Sequence, residues 1–595
     1  MKKQPIIWVL LLVFTLSSFK VGENKTKQEE DKTEQTPIEK WRNARFGMFM
    51  HWGVYSTFAG EYNGVTSPWH YSEHLMAQFR IPVEEYKEQV ASKFNPQGFN
   101  ADEWVKTIKE TGMGYIVITA KHHDGFAMYD SKVSDYNVVD ATPYGKDPLR
   151  ELRDACKRQG ILFGFYYSHA QDWGHPNGVR NTWDYPNNPA SRKWKKENPD
   201  YFNTIKKYYD EKAIPQIIEL ITEYDPDIFW FDTAFWGPAE LNRLCVDTAF
   251  SLKPELIINS RGEPSYDRCT YKSTSDKPFS FPPESGDWEA IPSTSESYGF
   301  HQLSHTHGTG SFYIQLLANA SAKGGNVLLN CGPRGDGKID EVDLGIFKDI
   351  GRWMSRNRES IQGTIATTLP IQGFGPSTQK NNTLYLHVFN WPKNGELYVG
   401  GIKSDVIKAR MLTHPNQEIK VSRINEKDIL IHLPQKPQEL GNTVIALACE
   451  TLETDNVRLL SPNIEEDVLH VFDGDLIGKH LRFGKGNHKS NSVLNWKDME
   501  QSVQWSVRLL NETTYDVFVS YDALKESDGN TFKITLGGSE LMGQVVGLKN
   551  MDRQYLGRVT LKPGEFYIGV KAEHMNNYEL MRLRSIHLIS TKNKN

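Results

Sequence analysis

Asp232 lies within a short segment of large apolar and aromatic residues, IFWFDTAFW (228–236). Burying a carboxylate in such surroundings costs free energy unless charged or hydrogen-bonding groups compensate for the lost water. A carboxylate held in this way can act as a nucleophile, as in glycoside cleavage, which passes through an oxocarbenium-like state. The alternative is a structural carboxylate that caps a loop or forms a buried ion pair, and Asp232 alone favours neither interpretation.

Glycoside cleavage also needs a second carboxyl group across the scissile bond. We favour Glu289, because the neighbouring Trp288 would shield it from water and raise its pKa, as a general acid requires near neutral pH. If Glu289 lies too far from Asp232, Glu284 or Asp276 would replace it. Solvated loop charges are the alternative interpretation, and spacing alone does not choose among the candidates. The acidic residues of segment 282–300 are Glu284, Asp287, Glu289 and Glu296.

Polar residues also end several other apolar runs of the chain. In a barrel of parallel strands the carboxyl ends of the strands carry the loops that build the active site. Several such endings in one chain therefore predict one shared site rather than separate structural features. The endings are His51-Trp52, His122-His123-Asp124, Tyr166-Tyr167-Ser168-His169, Asp232 and Arg261.

The histidine pair His122-His123 raises the question of a metal site. Metal-binding histidines usually lie at i, i+4 on a helix or alternate along a strand, and no third ligand is placed by spacing. The five cysteines contain no C-x-x-C pair, which argues against a zinc ribbon and against a disulfide framework. We therefore predict hydrogen bonds to sugar hydroxyls for these histidines, and neither a metal nor a cofactor.

The segments that must position these residues show two different hydrophobic patterns, one before and one after residue 365. From residue 38 to 364, short apolar runs alternate with amphipathic stretches such as 102–113, 147–160 and 201–224. Strands that alternate with helices over this length predict a (β/α)8-type barrel within an α/β fold class. An open doubly wound sheet is the alternative, but no G-x-G-x-x-G follows the first strand.

Helical periodicity of the apolar residues is mostly absent after residue 365. Strand-like runs separated by turn residues predict a β-sandwich over 365–452 and a second one over 453–595. The last domain is a candidate carbohydrate-binding module, a function that its sequence alone does not establish.

The composition gives no indication of a nucleic-acid partner. The 595 residues carry 74 acidic and 69 basic side chains, a net charge of −5, and no long basic run. A nucleic-acid-binding surface needs a basic patch or stripe. We therefore expect no nucleic-acid partner, and the sequence leaves the oligomeric state open.

The first residues resemble a secretory signal peptide. Lys2 and Lys3 precede the apolar run IIWVLLLVF, which is too short to span a bilayer comfortably, and Ser17-Ser18 follow it. We expect a signal peptide over 1–22, a disordered linker over 23–37, and a periplasmic or secreted protein. No cysteine follows the apolar run, so we expect no membrane anchor.

Several of these segments together resemble the family-29 glycoside hydrolases, the retaining α-L-fucosidases. The resemblance covers residues 38–364 closely and the first β-domain loosely. It is carried by RFGMFMHWGVYS, ITAKHHDGFAMYDSKVSDYNVVDATPYGKDPLRELRDACKRQGI, GFYYSHAQDW, FWFDTAFW and KGGNVLLNCGP.

The resemblance implies roles for individual residues. It makes Asp232 the nucleophile, and Trp288-Glu289-Ala290 approximates the family segment that carries the acid/base. The residues that it places in the fucose pocket are His51, His122, His123, Tyr166 or Tyr167, Trp230 and Arg261.

Two segments near the expected pocket depart from the family pattern. Pro68-Trp69-His70 stands where relatives commonly have a Glu-Trp pair, and Ser293–Gly299 differs from the relatives' T-x-N-x-S-W-G. Trp69 or Trp230 is expected to pack against the C5 methyl group that distinguishes fucose from L-galactose.

The expected activity is exo-acting hydrolysis of terminal α-L-fucosides of oligosaccharides or glycans with retention of configuration. A glycosidase with altered sugar preference, such as an α-L-galactosidase, and a catalytically inactive carbohydrate-binding protein are the alternatives.

Overall fold

The computed structural model describes residues 35–185, 196–304, 307–439, 441–547, 551–576 and 578–591. The predicted signal peptide, and the predicted linker up to residue 34, lie outside this part of the chain. From Pro37 onward the protein forms one compact unit. The first described helix begins at Pro37, which is the last residue of the predicted linker.

Eight parallel strands form the sheet at the centre of the first 360 residues. Neighbours along the chain are neighbours in the sheet, the last strand pairs with the first, and a bridge between Asn259 and Tyr271 joins β5 to β6 and completes the ring. The (β/α)8-type barrel predicted from the sequence is therefore confirmed. The strands are Phe46–Met50 (β1), Tyr115–Lys121 (β2), Leu162–Ser168 (β3), Ile228–Asp232 (β4), Ile257–Ile258 (β5), Lys272–Asp276 (β6), Trp288–Ile291 (β7) and Asn326–Cys331 (β8).

Helices surround the barrel, and the helical periodicity of the sequence places them correctly. Asn100 caps the helix after it by accepting from the backbone N–H groups of Asp102 and Glu103, and Gly112 ends that helix in the left-handed region. Asp147 and Gly160 bound the helix before β3 in the same way. The main helices are Pro37–Ala44 (α1), Leu75–Phe79 (α2), Val83–Gln89 (α3), Ala101–Thr111 (α4), Pro148–Gln159 (α5), Tyr201–Tyr208 (α6), Ile214–Tyr224 (α7), Ala239–Leu252 (α8), Gly310–Ala322 (α9) and Glu341–Asn357 (α10).

Two connections of the barrel differ from the regular alternation. Residues 259–271 between β5 and β6, and 277–287 between β6 and β7, are fully described and contain no helix. The outer layer of helices is therefore missing on this side of the closed strand ring, and the last domain of the chain contacts the barrel there.

A sandwich of two antiparallel sheets follows the barrel. Five strands pair in the order β9-β10-β11-β16-β13, and three pair in the order β12-β15-β14. Inward-facing aliphatic residues such as Leu386, Leu397 and Ile445 form their common core. The strands are Ile365–Ala366 (β9), Ser377–Lys380 (β10), Thr383–Val388 (β11), Glu396–Val399 (β12), Val406–Met411 (β13), Val421–Arg423 (β14), Ile429–His432 (β15) and Thr443–Cys449 (β16).

The last part of the chain forms a second sandwich with its own core, which includes Trp505, Val517 and Ile586. One sheet contains β17, β19, β22, β24, β25 and β27, and the other has the order β18-β28-β23-β26. The two β-domains predicted after the barrel are therefore confirmed, and their strands pair antiparallel except for β17 with β22. Their strands are Arg458–Leu459 (β17), Asp467–His470 (β18), Asp475–Ile477 (β19), Arg482–Phe483 (β20), Val493–Leu494 (β21), Ser502–Leu509 (β22), Thr513–Asp522 (β23), Thr531–Leu536 (β24), Ser539–Gln544 (β25), Met551–Leu561 (β26), Gly564–His574 (β27) and Arg582–Ser590 (β28).

All five cysteines lie in the described part of the chain and are free thiols. Among the described residues, none of the helices combines the length and the apolar composition that a bilayer crossing needs.

Candidate active site

Asp232 is the last residue of β4 and lies at the carboxyl end of the barrel. The Tyr166 hydroxyl donates a hydrogen bond to its Oδ2 at 2.8 Å, and Arg261 Nη1 lies 3.3 Å from its Oδ1. His123 Nε2 is 4.0 Å from Oδ2. A hydroxyl donor and a guanidinium therefore compensate for the apolar surroundings of the Asp232 carboxyl group and fix its orientation.

Arg261 connects two carboxylates. Its Nη2 lies 2.7 Å from Asp276 Oδ1 while its Nη1 contacts Asp232, and its guanidinium covers the Trp230 ring at 4.9 Å from the ring centroid. Although burial favours the neutral form, Asp276 and Asp232 raise the pKa of Arg261 above its ordinary value. Asp276 is therefore near Asp232, and both carboxylates are held by one cation.

The predicted histidines converge on the same end of the barrel. His51 Nδ1 is 2.8 Å from Asn330 Oδ1, and His123 Nδ1 is 2.8 Å from Ser168 Oγ. Burial lowers the pKa values of all three histidines, of His122 and His123 most strongly, so the rings are neutral at pH 7. A neutral ring has one donor and one acceptor nitrogen, which suits a hydroxyl group.

His122 has an additional feature that points to a ligand. Its ring stacks on Tyr166 with centroids 5.3 Å apart, and its Nδ1 is buried without a hydrogen-bond partner among the described residues. Buried polar atoms are rarely left unpaired in proteins, so this nitrogen is available to a bound molecule.

Tyr166 and Tyr167 point to opposite sides of β3. The Tyr167 hydroxyl donates to Gln216 Oε1 on α7 at 2.9 Å, outside the barrel, and its ring lies beside Lys121. Of the two alternatives Tyr166 and Tyr167, Tyr167 therefore points away from Asp232, and Tyr166 is the residue of the pair that reaches it. Alternate residues of a strand face opposite sides, and Tyr166 is in register with Trp230 on β4.

Glu289 does not lie where an acid/base must act. It is completely buried at the amino-terminal part of the barrel, next to Asn326, the first residue of β8. Its oxygens accept hydrogen bonds from Tyr115 at 2.8 Å, Tyr271 at 3.0 Å and Trp230 at 3.2 Å. Burial raises its pKa to about 7, the value expected of a general acid, but a sealed carboxyl group cannot reach a glycosidic oxygen. The geometry thus contradicts the placement of Glu289 beside Asp232.

Sequence reasoning missed three aromatic residues of the site. The ring centroid of His74 lies 5.4 Å from that of His123, and Trp173 lies 5.6 Å from His123. Tyr298 packs against His51 at 4.9 Å. His74 and Tyr298 are carried by the loops after β1 and β7, and only the loop position of these residues could have indicated them.

Two cavities border the site. The first cavity, of about 390 Å³, is lined by Asp232, Arg261, the exposed Phe235, Glu284 and residues of the last domain. The second cavity, of about 710 Å³, is lined by Trp69, Lys277, Phe279 and Glu296 among others. Trp69 is 57% exposed, whereas Trp230 is buried beneath Arg261. Both volumes are in the range of small-molecule sites.

Comparison with known proteins shows to which family the chain belongs. The profile of the family described as Alpha-L-fucosidase matches residues 14–359, more than half of the chain. The chain belongs to the α-L-fucosidase family. The tissue α-L-fucosidase of Macaca fascicularis is 27% identical over 468 residues, which cover 72% of this chain and 93% of that protein. The α-L-fucosidase of Dictyostelium discoideum is 26% identical over 499 residues, which cover 79% of this chain and 99% of that protein.

Solved α-L-fucosidases share the fold. The enzyme of Vibrio sp. strain EJY3 superposes with a TM-score of 0.76 at 25% identity and covers 93% of this chain and 97% of its own. A Bacteroides thetaiotaomicron α-L-fucosidase of family GH29, trapped as a covalent intermediate with 2-fluoro-fucosyl fluoride, has a TM-score of 0.61 at 28% identity and covers 70% and 98%. The protein is thus a glycoside hydrolase of the α-L-fucosidase type.

Proposed function

We propose that this α-L-fucosidase removes terminal α-L-fucosyl residues from oligosaccharides or glycans by exo-acting double displacement with retention of configuration. The observation that carries the proposal is the Asp232 carboxylate, oriented by Tyr166 and Arg261 beneath a group of neutral histidines. The covalent intermediate of the related Bacteroides thetaiotaomicron enzyme supports a covalent step.

In the first step, Asp232 attacks the anomeric carbon and forms a glycosyl ester while the glycosidic bond breaks and the acid/base gives its proton to the leaving oxygen. The Tyr166 hydroxyl stays protonated, because burial raises its pKa well above the ordinary value, and it therefore remains a hydrogen-bond donor. With Arg261 it fixes one orientation of the carboxylate, so that little reorganisation is needed at the moment of attack.

We propose Asp276, rather than Glu289, as the acid/base. Retaining enzymes place their two carboxyl groups roughly 5–5.5 Å apart, and Asp276 shares the Arg261 guanidinium with Asp232. Glu284 lines the first cavity with Asp232 but pairs with Lys272 at 3.4 Å, which makes it the second choice.

The protonation state of Asp276 would change along the reaction. Although the Asp276 side chain is 61% exposed, partial loss of hydration beside the barrel raises its pKa, whereas Arg261 lowers it, and the net result lies below the ordinary value. This ionised state suits the second step, in which Asp276 would take a proton from the water that releases fucose. For the first step, a bound sugar that covers the exposed carboxylate would strengthen the effect of burial and favour the acid form.

Fucose recognition is assigned to the histidines at the carboxyl ends of the strands. His51, His122 and His123 would exchange hydrogen bonds with the ring hydroxyls, and the unpartnered Nδ1 of His122 supports this assignment. Trp69 would contact the C5 methyl group from the loop after β1. A more polar contact at this position would instead favour an α-L-galactoside.

We also propose that the enzyme is exported, on the signal-peptide pattern of residues 1–22. Fractionation of the producing cells and N-terminal sequencing of the purified enzyme test this point. A cytoplasmic protein that keeps Met1–Lys3 would contradict it.

One kinetic experiment tests the activity. Nitrophenyl α-L-fucoside and α-L-galactoside are compared as substrates, and the anomer first released is identified by NMR. The fucoside should be preferred and the α-anomer should appear first. A preference for the galactoside, an initial β-anomer, or fucose binding without turnover would each contradict the proposal.

A further inference from the structure

The last β-domain contacts the barrel at two places: Asp473 pairs with Lys323 at 2.9 Å, and a hairpin loop packs against the segment after β6. This loop, residues 484–492, connects β20 to β21 and is here called the docking loop. The carbonyl of Gly486 accepts hydrogen bonds from the backbone N–H groups of Phe279 at 2.9 Å and Ser280 at 3.2 Å. A side chain at Gly486, whose φ is +75°, would come within 1.9 Å of the Ser280 carbonyl oxygen, so the close approach requires glycine.

Side chains of the docking loop extend this contact toward Asp276. Asn487 Nδ2 donates to Ser275 Oγ at 3.2 Å and lies 3.5 Å from the Asp276 carbonyl. The His488 ring packs on Phe279 with centroids 4.9 Å apart. The last domain therefore holds the segment that carries the proposed acid/base.

The docking loop also lines both cavities that flank this segment. Lys485 lies in the wall of the first cavity, which Asp232 also lines, and His488 lies in the wall of the second. A domain that served only as an independent carbohydrate-binding module would have no reason to form the wall of a cavity beside the nucleophile.

The second cavity has the properties of a sugar site. Trp69 and Phe312 are 57% and 42% exposed within a wall that also contains Phe279 and His488. Aromatic surface combined with a few polar groups is typical of small-molecule sites. The polar groups of the wall include Ser293, Ser295, Glu296 and His307.

The charges of the second cavity favour a neutral sugar over an anionic one. Lys277 is placed over the Tyr71 ring at 4.1 Å, and its ammonium donates to the backbone carbonyl of Glu296. The carboxylate of Glu296 lines the same cavity. A cation and an anion together leave no excess charge for binding a polyanion.

The position of the second cavity specifies which sugar it would take. Lys277, in its wall, directly follows Asp276, and a group that protonates the glycosidic oxygen must lie beside the bond that breaks. The sugar on the far side of that bond therefore extends along segment 276–279 toward His488.

From these observations we infer that the last domain completes the active site. Its docking loop, through His488 on Phe279, binds the neutral sugar residue that carries the fucose, in the second cavity. This inference rests on the proposed α-L-fucosidase activity and adds to it a site for the leaving group.

The test compares two substrates that differ in the leaving group. Fucosyllactose isomers place a sugar in the second cavity, whereas the nitrophenol of an aryl fucoside is smaller and makes fewer contacts there. His488→Ala should lower kcat/KM for at least one fucosyllactose isomer about 5- to 10-fold, mainly through KM, because one aromatic contact is lost. For the aryl fucoside, kcat/KM should change less than about 2-fold, because nitrophenol makes fewer contacts in the second cavity.

Two further variants serve as controls. His488→Phe keeps a ring on Phe279 and should retain most of the fucosyllactose activity. Lys489→Ala alters an exposed neighbour in the docking loop that lines neither cavity and should change nothing. Saturation-transfer NMR with lactose, the fucose-free product, gives a readout independent of catalysis, and His488→Ala should weaken the signal.

The outcomes separate the two proposals. An enzyme inactive on every α-L-fucoside contradicts the proposed function, whereas the lactose experiment still reports on the cavity. Normal aryl fucosidase activity combined with an unchanged fucosyllactose rate in His488→Ala contradicts the leaving-group site alone. Equal losses on both kinds of substrate would show that His488 is only structural, and would also overturn the inference.

Discussion

The indole nitrogen of Trp230 donates a hydrogen bond to the buried carboxyl group of Glu289, with 3.2 Å between Nε1 and Oε2. The face of the same indole carries Arg261, which contacts Asp232. Through this hydrogen bond, Glu289 holds the indole ring on which the Arg261 guanidinium lies. Its elevated pKa is a consequence of burial in the barrel rather than a sign of proton transfer to a substrate.

This relationship predicts that Glu289→Gln keeps most of the activity. The variant preserves the shape of the side chain, so kcat/KM for fucosyllactose should fall less than about 10-fold, whereas loss of a general acid costs about 10²- to 10⁴-fold. Steady-state kinetics on fucosyllactose measure the difference. A loss of 10²-fold or more on fucosyllactose, with a much smaller loss on an activated aryl fucoside, would restore Glu289 as the acid/base.

Glu289 should also make the stability of the enzyme depend on pH. Burial raises its pKa from 4.5 to about 7, so the folded state binds more protons than the unfolded state between these values. Its contribution is therefore fully present below pH 4.5 and decreases as pH rises through 7, by about 3 kcal/mol in total. Scanning calorimetry from pH 4.5 to 8 should show that Glu289→Gln gains stability relative to the wild type as pH rises. A constant difference across this range would contradict the raised pKa.

Asp276→Ala should show the behaviour of a missing acid/base. Activity on fucosyllactose should fall about 10²- to 10⁴-fold, with a smaller loss on aryl fucosides whose leaving groups need no protonation. Added azide should restore turnover and give α-fucosyl azide, because it attacks the glycosyl ester from the face of the departed leaving group. Glu284→Ala, at the other carboxylate near Asp232, is the matched comparison. If azide rescues that variant instead, Glu284 is the acid/base.

Asp232→Gly should abolish the covalent step. Removal of a nucleophile lowers kcat by roughly 10⁴-fold or more. Azide that occupies the vacated space would attack from the opposite face of the sugar and give β-fucosyl azide. In the wild type, a fluorinated fucosyl fluoride should label Asp232, as located by peptide mass spectrometry. A label on any other residue would overturn the assignment.

The sequence identified the residues that end strands, because the barrel architecture brings all such residues to one end. Asp232, His51, His122, His123 and Arg261 were found in this way. The direction of a side chain inside a strand was harder to predict. Residues 288–291 are all buried, so period-two alternation of polarity, which normally separates the faces of a strand, is missing around Glu289.

Contacts between segments that are distant in the chain could not be predicted from local sequence patterns. Tyr166 and Tyr167 could be distinguished only from the register of β3 against β4, which places Tyr166 beside Trp230. The contact of His488 with Phe279 joins residues from different domains. Neither segment has a sequence feature that predicts this contact. Such contacts depend on how complete domains pack.

A buried charge cluster beneath the histidines gives a last prediction, on stability. Asp172 Oδ2 lies 3.0 Å from both Lys121 Nζ and Lys212 Nζ, and all three side chains are buried. Despite burial, the two ammonium groups hold the pKa of Asp172 below its ordinary value, while burial lowers the pKa of Lys121 to about 8.

Asp172→Asn would leave two buried cations facing each other without a counter-charge, which should cost about 3–5 kcal/mol of folding free energy. The next residue, Trp173, donates its backbone N–H to the His123 carbonyl at 2.7 Å, so activity should fall together with stability. Urea denaturation and aryl fucosidase kinetics measure the two effects. Arg158→Ala, which breaks the exposed pair with Asp102, is the control and should cost far less, because water screens exposed charges. Equal costs for the two variants would mean that the buried lysines lose their protons or find other partners when Asp172 is neutralised.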